Sequence, residues 1–320
     1  MSKRMRVLVV GGAGYIGGAV TDVLKRRGIP FTVYDALLYE HHYLKPVDFV
    51  SGDVRDSKKL KALLPKFTHV IWLAAIVGDP ACKVRPDLTV AVNRDAVKTL
   101  KKYFEGRSVF LSTCSVYGEN TAEADETTRP NPLSLYAQTK LAAEKILKDS
   151  NAIVFRLGTV FGVSDEFSRL RMDLAVNYMT ARAVANGELS IFGGEQWRPF
   201  IHVRNVAEAV VNALSSKKTG VYNLSTVNYQ ISDLGKEIAR MTGCKIKYAD
   251  KKFQDARNYY VSTKKAERDG VLKFDKILPI SFGVKQISDL IRAGRVKYTD
   301  ADIYYNERHI ANLNNDNKLS

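Results

Sequence analysis

The first half of the chain alternates between two kinds of hydrophobic pattern. Short runs in which nearly every residue is apolar, many of them β-branched, predict buried strands at residues 6–10, 31–35, 69–73, 108–112 and 152–155. Between these runs, apolar residues recur at helical spacing and predict helices at residues 15–27, 57–64, 92–104 and 134–148. Strands that alternate with helices are typical of a parallel sheet covered on both faces. The pattern therefore predicts an α/β, doubly wound fold.

The pattern becomes irregular after residue 156. It predicts a helix at 174–186, a strand at 189–192 and helices at 203–214 and 231–241. We expect a first domain over residues 1–156 and a smaller C-terminal substrate-binding lobe over residues 157–300, with residues 193–225 returning to the first domain. Residues 301–320 finish in an Asn-rich stretch, and we expect them to form a loose polar tail.

The composition narrows the function classes. Of the 320 residues, 45% are hydrophobic, which is enough for a sizeable buried core. A net charge of +15 raises the question of nucleic-acid binding. However, Lys and Arg are scattered as pairs such as Lys58-Lys59 and Lys264-Lys265 instead of being clustered. We therefore expect no nucleic-acid partner, because a diffuse positive surface favours small phosphorylated metabolites.

The sequence indicates neither a membrane segment, a disulfide framework nor a metal site. It has no apolar run of about 20 residues, and residues 1–10 are typical of a short strand and not of a signal peptide. The three cysteines, Cys82, Cys114 and Cys244, are odd in number and are not grouped with histidines. We expect a cytoplasmic protein with reduced thiols and no structural metal.

A glycine-rich turn joins the first predicted strand to the first predicted helix. Gly11, Gly14 and Gly17 stand in the segment VVGGAGYIGG. Glycines in such a turn permit a tight bend, a close approach of the backbone to a pyrophosphate and close packing of the helix. The free amides at the start of the helix, near Tyr15 and Ile16, then face the phosphate charge. The turn therefore predicts a dinucleotide cofactor.

Two acidic residues, one at the end of the second predicted strand and one further along, help to identify the cofactor. Asp35 ends the second predicted strand, at the distance expected for a carboxylate that binds the ribose 2′-hydroxyl. The same carboxylate repels the 2′-phosphate of NADP, and residues 36–38 supply no Arg for it, so we expect NAD. Asp53, followed by Val54, is placed to reach the adenine edge, although an ordinary turn Asp is an equal alternative.

A second group of residues has the spacing of a proton-transfer site. Tyr136 and Lys140 are four residues apart, which places both on one face of a predicted helix. A phenol with a pKa of about 10 acts as a base at neutral pH only if positive charge stabilises its phenolate, and Lys140 supplies that charge. Thr113 follows a predicted strand and is placed to hydrogen-bond the reacting hydroxyl. We expect Tyr136 to be the catalytic base.

Together these motifs resemble the extended short-chain dehydrogenase/reductase family, in its nucleotide-sugar epimerase and dehydratase branch. The resemblance covers nearly the whole chain and includes the glycine turn, the Leu-Ala-Ala segment from Leu73, Thr113 and the Tyr-x-x-x-Lys pair. It implies a Rossmann-type domain, a tightly held NAD and a homodimer built on the helices at 92–104 and 134–148. The cofactor-binding residues that follow are Gly11, Gly14, Tyr15, Ile16, Gly17, Asp35, Asp53, Val54, Leu73, Ala74, Ala75, Asn93, Ser112, Tyr136 and Lys140.

The same resemblance implies a nucleoside-diphosphate sugar as substrate. The segment QWRPFIHV is similar to a family motif whose Arg, here Arg198, clamps the diphosphate, a task that suits a planar guanidinium. Arg257 resembles a second family Arg near the same phosphates or the nucleoside ribose. Asn177 lies near the family's diphosphate-binding Asn. Asp79 and Cys82 are expected to flank the sugar.

The residues that follow Thr113 bear on the reaction. The resemblance implies oxidation of the sugar, usually at C4, after which family members differ. In 4,6-dehydratases an acidic residue after the Thr contributes to the acid/base pair; Cys114 and Ser115 stand here instead and argue against dehydration. A 4-epimerase is therefore expected. The alternatives are a 4-dehydrogenase, a 4,6-dehydratase and a catalytically silent NAD-binding relative, and the intact Tyr136 and Lys140 argue against the last.

Overall fold

A computed structural model of the chain describes residues 4–40, 42–192, 194–249 and 258–313. Its strands are β1 (Val7–Val10), β2 (Phe31–Asp35), β3 (Phe49–Ser51), β4 (His69–Trp72), β5 (Arg107–Thr113), β6 (Glu119–Ala124), β7 (Ala152–Leu157), β8 (Thr159–Phe161), β9 (Glu188–Phe192), β10 (Trp197–His202), β11 (Gly220–Leu224), β12 (Val227–Gln230), β13 (Lys245–Ala249) and β14 (Asn258–Val261). Its helices are α1 (Tyr15–Arg26), α2 (Ser57–Leu63), α3 (Asp79–Val84), α4 (Pro86–Val90), α5 (Ala96–Tyr103), α6 (Leu135–Leu147), α7 (Ala175–Asn186), α8 (Val203–Ala213), α9 (Ile231–Thr242), α10 (Lys264–Arg268), α11 (Ile280–Arg292) and α12 (Asn306–Asn312). None of these helices is both long and apolar enough to span a membrane.

Seven parallel strands form the central sheet, in the order β11-β7-β5-β4-β1-β2-β3. Successive side chains of a strand face opposite sides of a sheet. In β1, Val7 and Val9 pack with α1 and α8, whereas Leu8 and Val10 pack with α2 and α5 on the other face. Burial on both faces explains why β1 is apolar throughout. The prediction of an α/β, doubly wound fold is confirmed.

The predicted elements of the first half agree closely with the observed ones, and the structure adds four that were not predicted: β3, α3, α4 and β6. The edge strand β3 has three residues and is too short to give a period-two signal. The helix predicted at 92–104 is interrupted, because a π-helical segment, Ala91–Asp95, joins α4 to α5. Asn93 lies in this segment and holds a neighbouring loop, as described below.

The chain crosses between two lobes after β7. β11 pairs with β7 at the edge of the central sheet, and α8 packs with α1. β8, β10 and β12 form a separate three-stranded sheet, so β10, although it lies within residues 193–225, does not join the central sheet. The domain boundaries drawn from the sequence stay a prediction. The core of the second lobe includes Phe161, Val176, Phe200, Leu234 and Ile280.

Residues 301–313 pack against the first domain. In and after α12, Ile310 and Leu313 are buried among side chains that include Leu38 and Val84. His309 Nε2 lies 2.9 Å from the Leu38 carbonyl oxygen. In this stretch the structure differs from the expected loose tail, because an apolar pair at helical spacing lies within a mostly polar sequence. Residues 314–320 lie outside the described residues.

Candidate active site

A cavity of 1290 Å³ opens along the carboxyl edge of the central sheet. Ligands of open parallel sheets bind at this edge, where the strand order reverses, and here the order reverses between β1 and β4. Residues from six strand ends line the cavity: Gly11 after β1, Asp35 in β2, Asp53 after β3, Leu73 after β4, Thr113 in β5 and Gly158 after β7. The cavity therefore has the position expected for a cofactor and its substrate.

The glycine turn between β1 and α1 leaves an opening for a phosphate group. Gly11 has a φ of +81°, and a Cβ there would lie 2.5 Å from the Ala74 nitrogen. A Cβ on Gly17 would lie 2.4 Å from the Gly12 carbonyl oxygen, so neither position accepts a side chain. A Cβ on Gly14 would meet only the Gly11 carbonyl oxygen, at 3.5 Å, on the cavity side. Because α1 begins directly after Gly14 without a side-chain cap, its first amides are available to an anion.

Asp35 fixes the loop that follows β2. Its carboxylate accepts hydrogen bonds from the amides of Ala13 at 3.0 Å and Leu37 at 2.8 Å. Burial raises the pKa of Asp35, and these backbone hydrogen bonds act in the opposite direction. A carboxylate has about four lone-pair sites, so two amide bonds leave it able to accept from a ribose hydroxyl. The Asp35 carboxylate is therefore an acceptor that fits the ribose at the adenosine end of NAD.

Thr113, Tyr136 and Lys140 lie together in the cavity wall. Thr113 is the last residue of β5, and α6 begins after Ser134, whose Oγ accepts a hydrogen bond from a backbone amide of the first turn. This cap sets the start of α6, so that Tyr136 and Lys140 face the same side. The side chain of Thr113 is close enough to Tyr136 to lower the pKa of its phenol. The ammonium of Lys140 lies 4.4 Å from the centroid of the Phe110 ring.

Burial moves the proton affinities of this pair in opposite directions. It raises the pKa of Tyr136, and the side chain of Thr113 and the charge of Arg171 partly offset that rise. Burial also lowers the pKa of Lys140 to about 7, although the nearby charge of Glu144 acts to raise that pKa. A phenolate at Tyr136 therefore requires positive charge nearby, which Arg171 supplies in part and which Lys140 or a bound group can increase.

A buried ion pair lies next to β5, the strand that ends at Thr113. Arg156 on β7 and Glu144 on α6 approach to 2.8 Å, and each side chain is less than a tenth exposed. Glu144 also accepts a hydrogen bond from Ser112 Oγ, and Arg156 donates to the Tyr117 hydroxyl at 3.0 Å. Glu144 follows Lys140 by one helical turn. The network therefore holds β5, β7 and α6 together beside Tyr136 and Lys140.

The structure places most of the predicted site residues in the wall of this one cavity. Their roles as cofactor and substrate contacts stay predictions. The predicted residues that line the cavity are Gly11, Gly14, Tyr15, Ile16, Gly17, Asp35, Asp53, Val54, Leu73, Ala74, Ala75, Ser112, Thr113, Tyr136, Lys140 and Arg198.

Two predicted residues are placed elsewhere, and a third cannot be located. Asn93 is buried behind the cavity wall, where its amide accepts from the Ile76 nitrogen at 2.8 Å and donates to the Ile76 oxygen at 2.9 Å. Asn177 is also fully buried and bonds to both backbone groups of Gly162. Both side-chain amides bond to backbone groups in irregular segments and do not line the cavity, and their roles as cofactor and substrate contacts stay predictions. Arg257 lies outside the described residues.

Arg198 is held in the cavity wall by β10. It lies on β10 with 6% of its surface exposed, and its Nη1 donates to the Trp197 carbonyl at 2.7 Å. Its guanidinium carbon lies 5.2 Å from the centroid of the Tyr259 ring. The Tyr259 hydroxyl, in turn, lies 3.1 Å from Ser115 Oγ. Arg198 is therefore connected to the segment that follows Thr113.

The three cysteines are free thiols. Cys114 is fully buried and donates to the Arg156 carbonyl at 3.1 Å, and burial raises its pKa. Cys82 is buried behind the cavity wall, where it donates to the Ile76 carbonyl, whereas Asp79 lines the cavity. Neither buried thiol is placed to act on a ligand. Among the described residues, no cluster of His, Cys, Asp or Glu side chains is arranged to hold a metal ion.

Several cavity residues give no local sequence signal. Arg169, Arg171 and Asp173 come from the irregular segment between β8 and α7, which has no hydrophobic period. Asn306 and Arg308 come from α12. A pair of arginines two residues apart in a loop is the one hint that the sequence offers for this part of the wall.

Known proteins share the sequence of this chain over most of its length. Residues 7–225 match the NAD dependent epimerase/dehydratase family. The UDP-glucose 4-epimerase of Lactobacillus helveticus is 28% identical over 286 residues, which cover 76% of this chain and 84% of that protein. UDP-glucuronate 4-epimerase 2 of Arabidopsis thaliana is 32% identical over 248 residues, which cover 67% of this chain and 56% of that protein.

A solved structure shares the fold. The UDP-glucose 4-epimerase of Thermus thermophilus in complex with NAD superimposes with a TM-score of 0.75 and 27% identity, covering 90% of this chain and 99% of that one. The family match runs from β1 to the end of β11 and includes the glycine turn, Tyr136 and Lys140. The resemblance inferred from the sequence is confirmed, and with it NAD as the cofactor. The chain belongs to the NAD dependent epimerase/dehydratase family of enzymes.

Proposed function

We propose that this enzyme is a 4-epimerase of nucleoside-diphosphate sugars, with Tyr136 as the catalytic base. One observation carries the proposal: Thr113, Tyr136 and Lys140 share a single cavity with the glycine turn. Its volume of 1290 Å³ exceeds the roughly 300–1,000 Å³ of a pocket for one small ligand, which suits a cofactor beside a substrate. The UDP-sugar 4-epimerases among the relatives support the choice of substrate class.

The cavity suits NAD in one orientation. Gly14 and the first amides of α1 would hold the pyrophosphate, Asp35 the adenosine ribose, and Tyr136 with Lys140 the nicotinamide ribose. When bound, NAD takes a hydride from the sugar and returns it. Asp53 and Val54 lie in the wall near the adenine end.

Tyr136 moves the proton of the reacting hydroxyl. In this proposal the charge of Lys140, which lines the same cavity, favours the phenolate, and the phenolate accepts the proton from the C4 hydroxyl of the sugar. Tyr136 returns a proton to the C4 oxygen when the hydride comes back. The product is an epimer if the transient 4-keto sugar has turned and presents its other face.

Arg198 binds the diphosphate of the substrate in this proposal. Its buried position in the cavity wall and its contact with Tyr259 limit the directions in which the guanidinium can point. The proposed contribution of Arg257 is carried over from the family resemblance, because that residue lies outside the described residues.

Elimination of water is disfavoured by the residues that follow Thr113. Expulsion of the C6 hydroxyl needs an acid and a base close to the sugar. Cys114 is fully buried with its thiol bonded to the Arg156 carbonyl, and Ser115 is a neutral hydroxyl bonded to Tyr259. Neither supplies a carboxyl group at this position.

The test is product analysis with a panel of UDP-, GDP-, dTDP- and CDP-hexoses and a trace of NAD. We expect a product of unchanged mass with an inverted C4 signal in the proton NMR spectrum. The Tyr136→Phe variant keeps the ring without the acidic hydroxyl and should lower turnover by about 10²- to 10⁴-fold while still binding NAD. Loss of water, or a keto product that consumes stoichiometric NAD, would contradict the proposal.

We also propose a homodimer built on α5, α6 and their symmetry mates. The proposal comes from the family resemblance, and α6 supports it, because Ala142 is partly exposed there. Light scattering of the wild type and of Ala142→Arg, which places a charge in the proposed interface, tests it. If the wild type is as monomeric as Ala142→Arg, the proposed homodimer is contradicted.

A cytoplasmic location is proposed on the cysteine chemistry. Cys82 and Cys114 are buried free thiols, and Cys244 is also unpaired. Free thiols persist in a reducing compartment. Fractionation of the source cells with detection of the native protein tests the location.

A further inference from the structure

Arg169 and Arg171 form a cationic wall across the cavity from the glycine turn. Both line the cavity, and each is 9% exposed. The guanidinium of Arg171 lies 6.0 Å from the ring centroid of Tyr15, the first residue of α1. The guanidinium of Arg169 lies 5.0 Å from the ring of Tyr39, which belongs to the loop after β2. The two arginines therefore face the same stretch of the cavity from the side of the second lobe.

The positive charge of this wall exceeds that of its carboxylate partners. Asp173 pairs with Arg171 at 2.6 Å. Glu40 accepts the Arg169 backbone amide at 2.8 Å, but burial raises its pKa to about 7, so its charge is partly lost at neutral pH. The buried Nε of Arg169 has no hydrogen-bond partner in the part of the chain that the structure describes, and the same is true of the Tyr39 hydroxyl. Buried donors in this state require an acceptor, and an anion in the cavity meets that need.

Helix α12 holds the wall in place. The side-chain oxygen of Asn306 accepts from Arg169, and its backbone amide donates to Asp173 at 3.0 Å. Its side-chain nitrogen donates to the Val77 carbonyl at 2.9 Å, in the loop that follows β4. Since His309 of α12 also contacts the loop after β2, the helix connects the two arginines to both loops. The guanidinium groups are thus fixed before any ligand binds, which lowers the entropic cost of binding.

We infer that Arg169 and Arg171 bind the diphosphate of NAD from the side opposite α1 and that α12 positions them there. Two diphosphates enter this cavity in the proposed reaction, that of NAD and that of the sugar nucleotide. The neighbourhood of Tyr15 and Tyr39, next to the glycine turn and Asp35, assigns the pair to NAD. The inference rests on the proposed placement of NAD. Its consequence is slow release of the cofactor between turnovers.

The central variant is Arg169→Met, which removes the charge and keeps an unbranched side chain. Loss of charge-assisted hydrogen bonds to a phosphate is expected to speed NAD dissociation by about 10- to 100-fold. The measurements are the NAD content of the protein after gel filtration, the rate of NADH release followed by fluorescence, and the dissociation constant of UDP by calorimetry. Arg292→Met is the matched control, because Arg292 is an exposed arginine of α11 and the change in charge is the same.

Two further variants separate a binding role from a merely structural one. Arg169→Lys keeps the charge and should restore most of the NAD retention. Asn306→Ala removes the anchor and leaves both arginines in place, so it should speed NADH release by a smaller factor than Arg169→Met. This variant also serves if Arg169→Met does not fold.

The outcomes distinguish this inference from the proposed function. A wild-type protein that binds no NAD contradicts the proposed cofactor site itself. If the wild type retains NAD, and Arg169→Met and Asn306→Ala release it no faster than Arg292→Met, the inference is overturned. A weakened affinity for UDP with unchanged NAD release would also overturn it, because the arginines would then serve the sugar nucleotide. Faster NADH release with unchanged UDP affinity supports it.

Discussion

Lys140 is expected to destabilise the cofactor-free protein although catalysis requires it. The ammonium group lies in a site that is 4% exposed, over the ring of Phe110. The perturbation is Lys140→Met, which keeps an unbranched side chain and removes the charge. We expect the variant to lose turnover and to gain stability, since functional groups are often retained at a cost in stability.

The magnitude and its pH dependence follow from the pKa. Burial lowers the pKa of Lys140 from 10.5 in the unfolded chain to about 7. Below pH 7 the group is charged in both states, so the full cost of burying the ammonium opposes folding. As the pH rises from 7 to 10.5, the unfolded chain binds more protons than the folded protein, and stability increases until the cost is gone. At about 1.4 kcal/mol for each tenfold change in proton affinity, the full cost has an upper bound of about 5 kcal/mol.

The assay is urea unfolding of the NAD-free wild type and variant at pH 6 and pH 9.5. We expect Lys140→Met to raise the free energy of unfolding by about 2–4 kcal/mol at pH 6 and by about 1 kcal/mol at pH 9.5. Lys145→Met is the control, because Lys145 is an exposed residue of the same helix. A gain of equal size at both pH values, or a loss of stability at pH 6, would refute the reasoning.

Three further perturbations test the packing of the site. Gly11→Ala places a Cβ 2.5 Å from a backbone nitrogen at a φ of +81° and should lower the free energy of unfolding by more than about 2 kcal/mol. Gly28 also has a positive φ, +64°, but its Cβ would lie in open space, so Gly28→Ala should cost only about 1 kcal/mol. Thermal unfolding of the two variants separates the cost of the steric contact from the cost of the backbone conformation. Glu144→Ala leaves Arg156 as a buried unpaired charge and should lower the free energy of unfolding in urea by about 3–5 kcal/mol. The double variant Glu144→Ala/Arg156→Met should lose less, because the unpaired charge is removed. Equal losses of stability in the single and double variants would contradict the ion-pair argument. Asp35→Ala should raise the dissociation constant of NAD about tenfold and that of NADP much less, as measured by calorimetry, and a parallel loss of both would argue against a ribose contact.

The sequence predicts the parts of the site that are determined locally. The spacing of Gly11, Gly14 and Gly17 between a strand and a helix depends on a single turn, and the four-residue interval from Tyr136 to Lys140 depends on a single helix. Such local patterns can be read from the sequence without knowledge of the tertiary contacts of the chain. The same holds for the alternation of strands and helices that indicates the central sheet.

Residues whose role depends on distant partners could not be assigned in this way. Asn93 and Asn177 have the polarity of ligand-binding residues, but each finds a backbone segment that only the folded chain brings close. Arg169 enters the cavity because α12, more than a hundred residues later, holds it there. The pairing of β6 with β14 is equally long-range. Tertiary contacts of this kind leave no periodic trace in the sequence.

The position of β11 in the central sheet has a consequence for biosynthesis. β7 is buried along its whole length and mostly apolar, and its outer edge remains unpaired until β11 has been made. At about 5–20 residues per second, the ribosome needs about 3–12 s to add residues 158–219. During this interval the nascent chain presents an open, hydrophobic strand edge, which is a template for aggregation. Overexpression is therefore expected to benefit from slower translation or from chaperones that shield this edge until the later strand arrives.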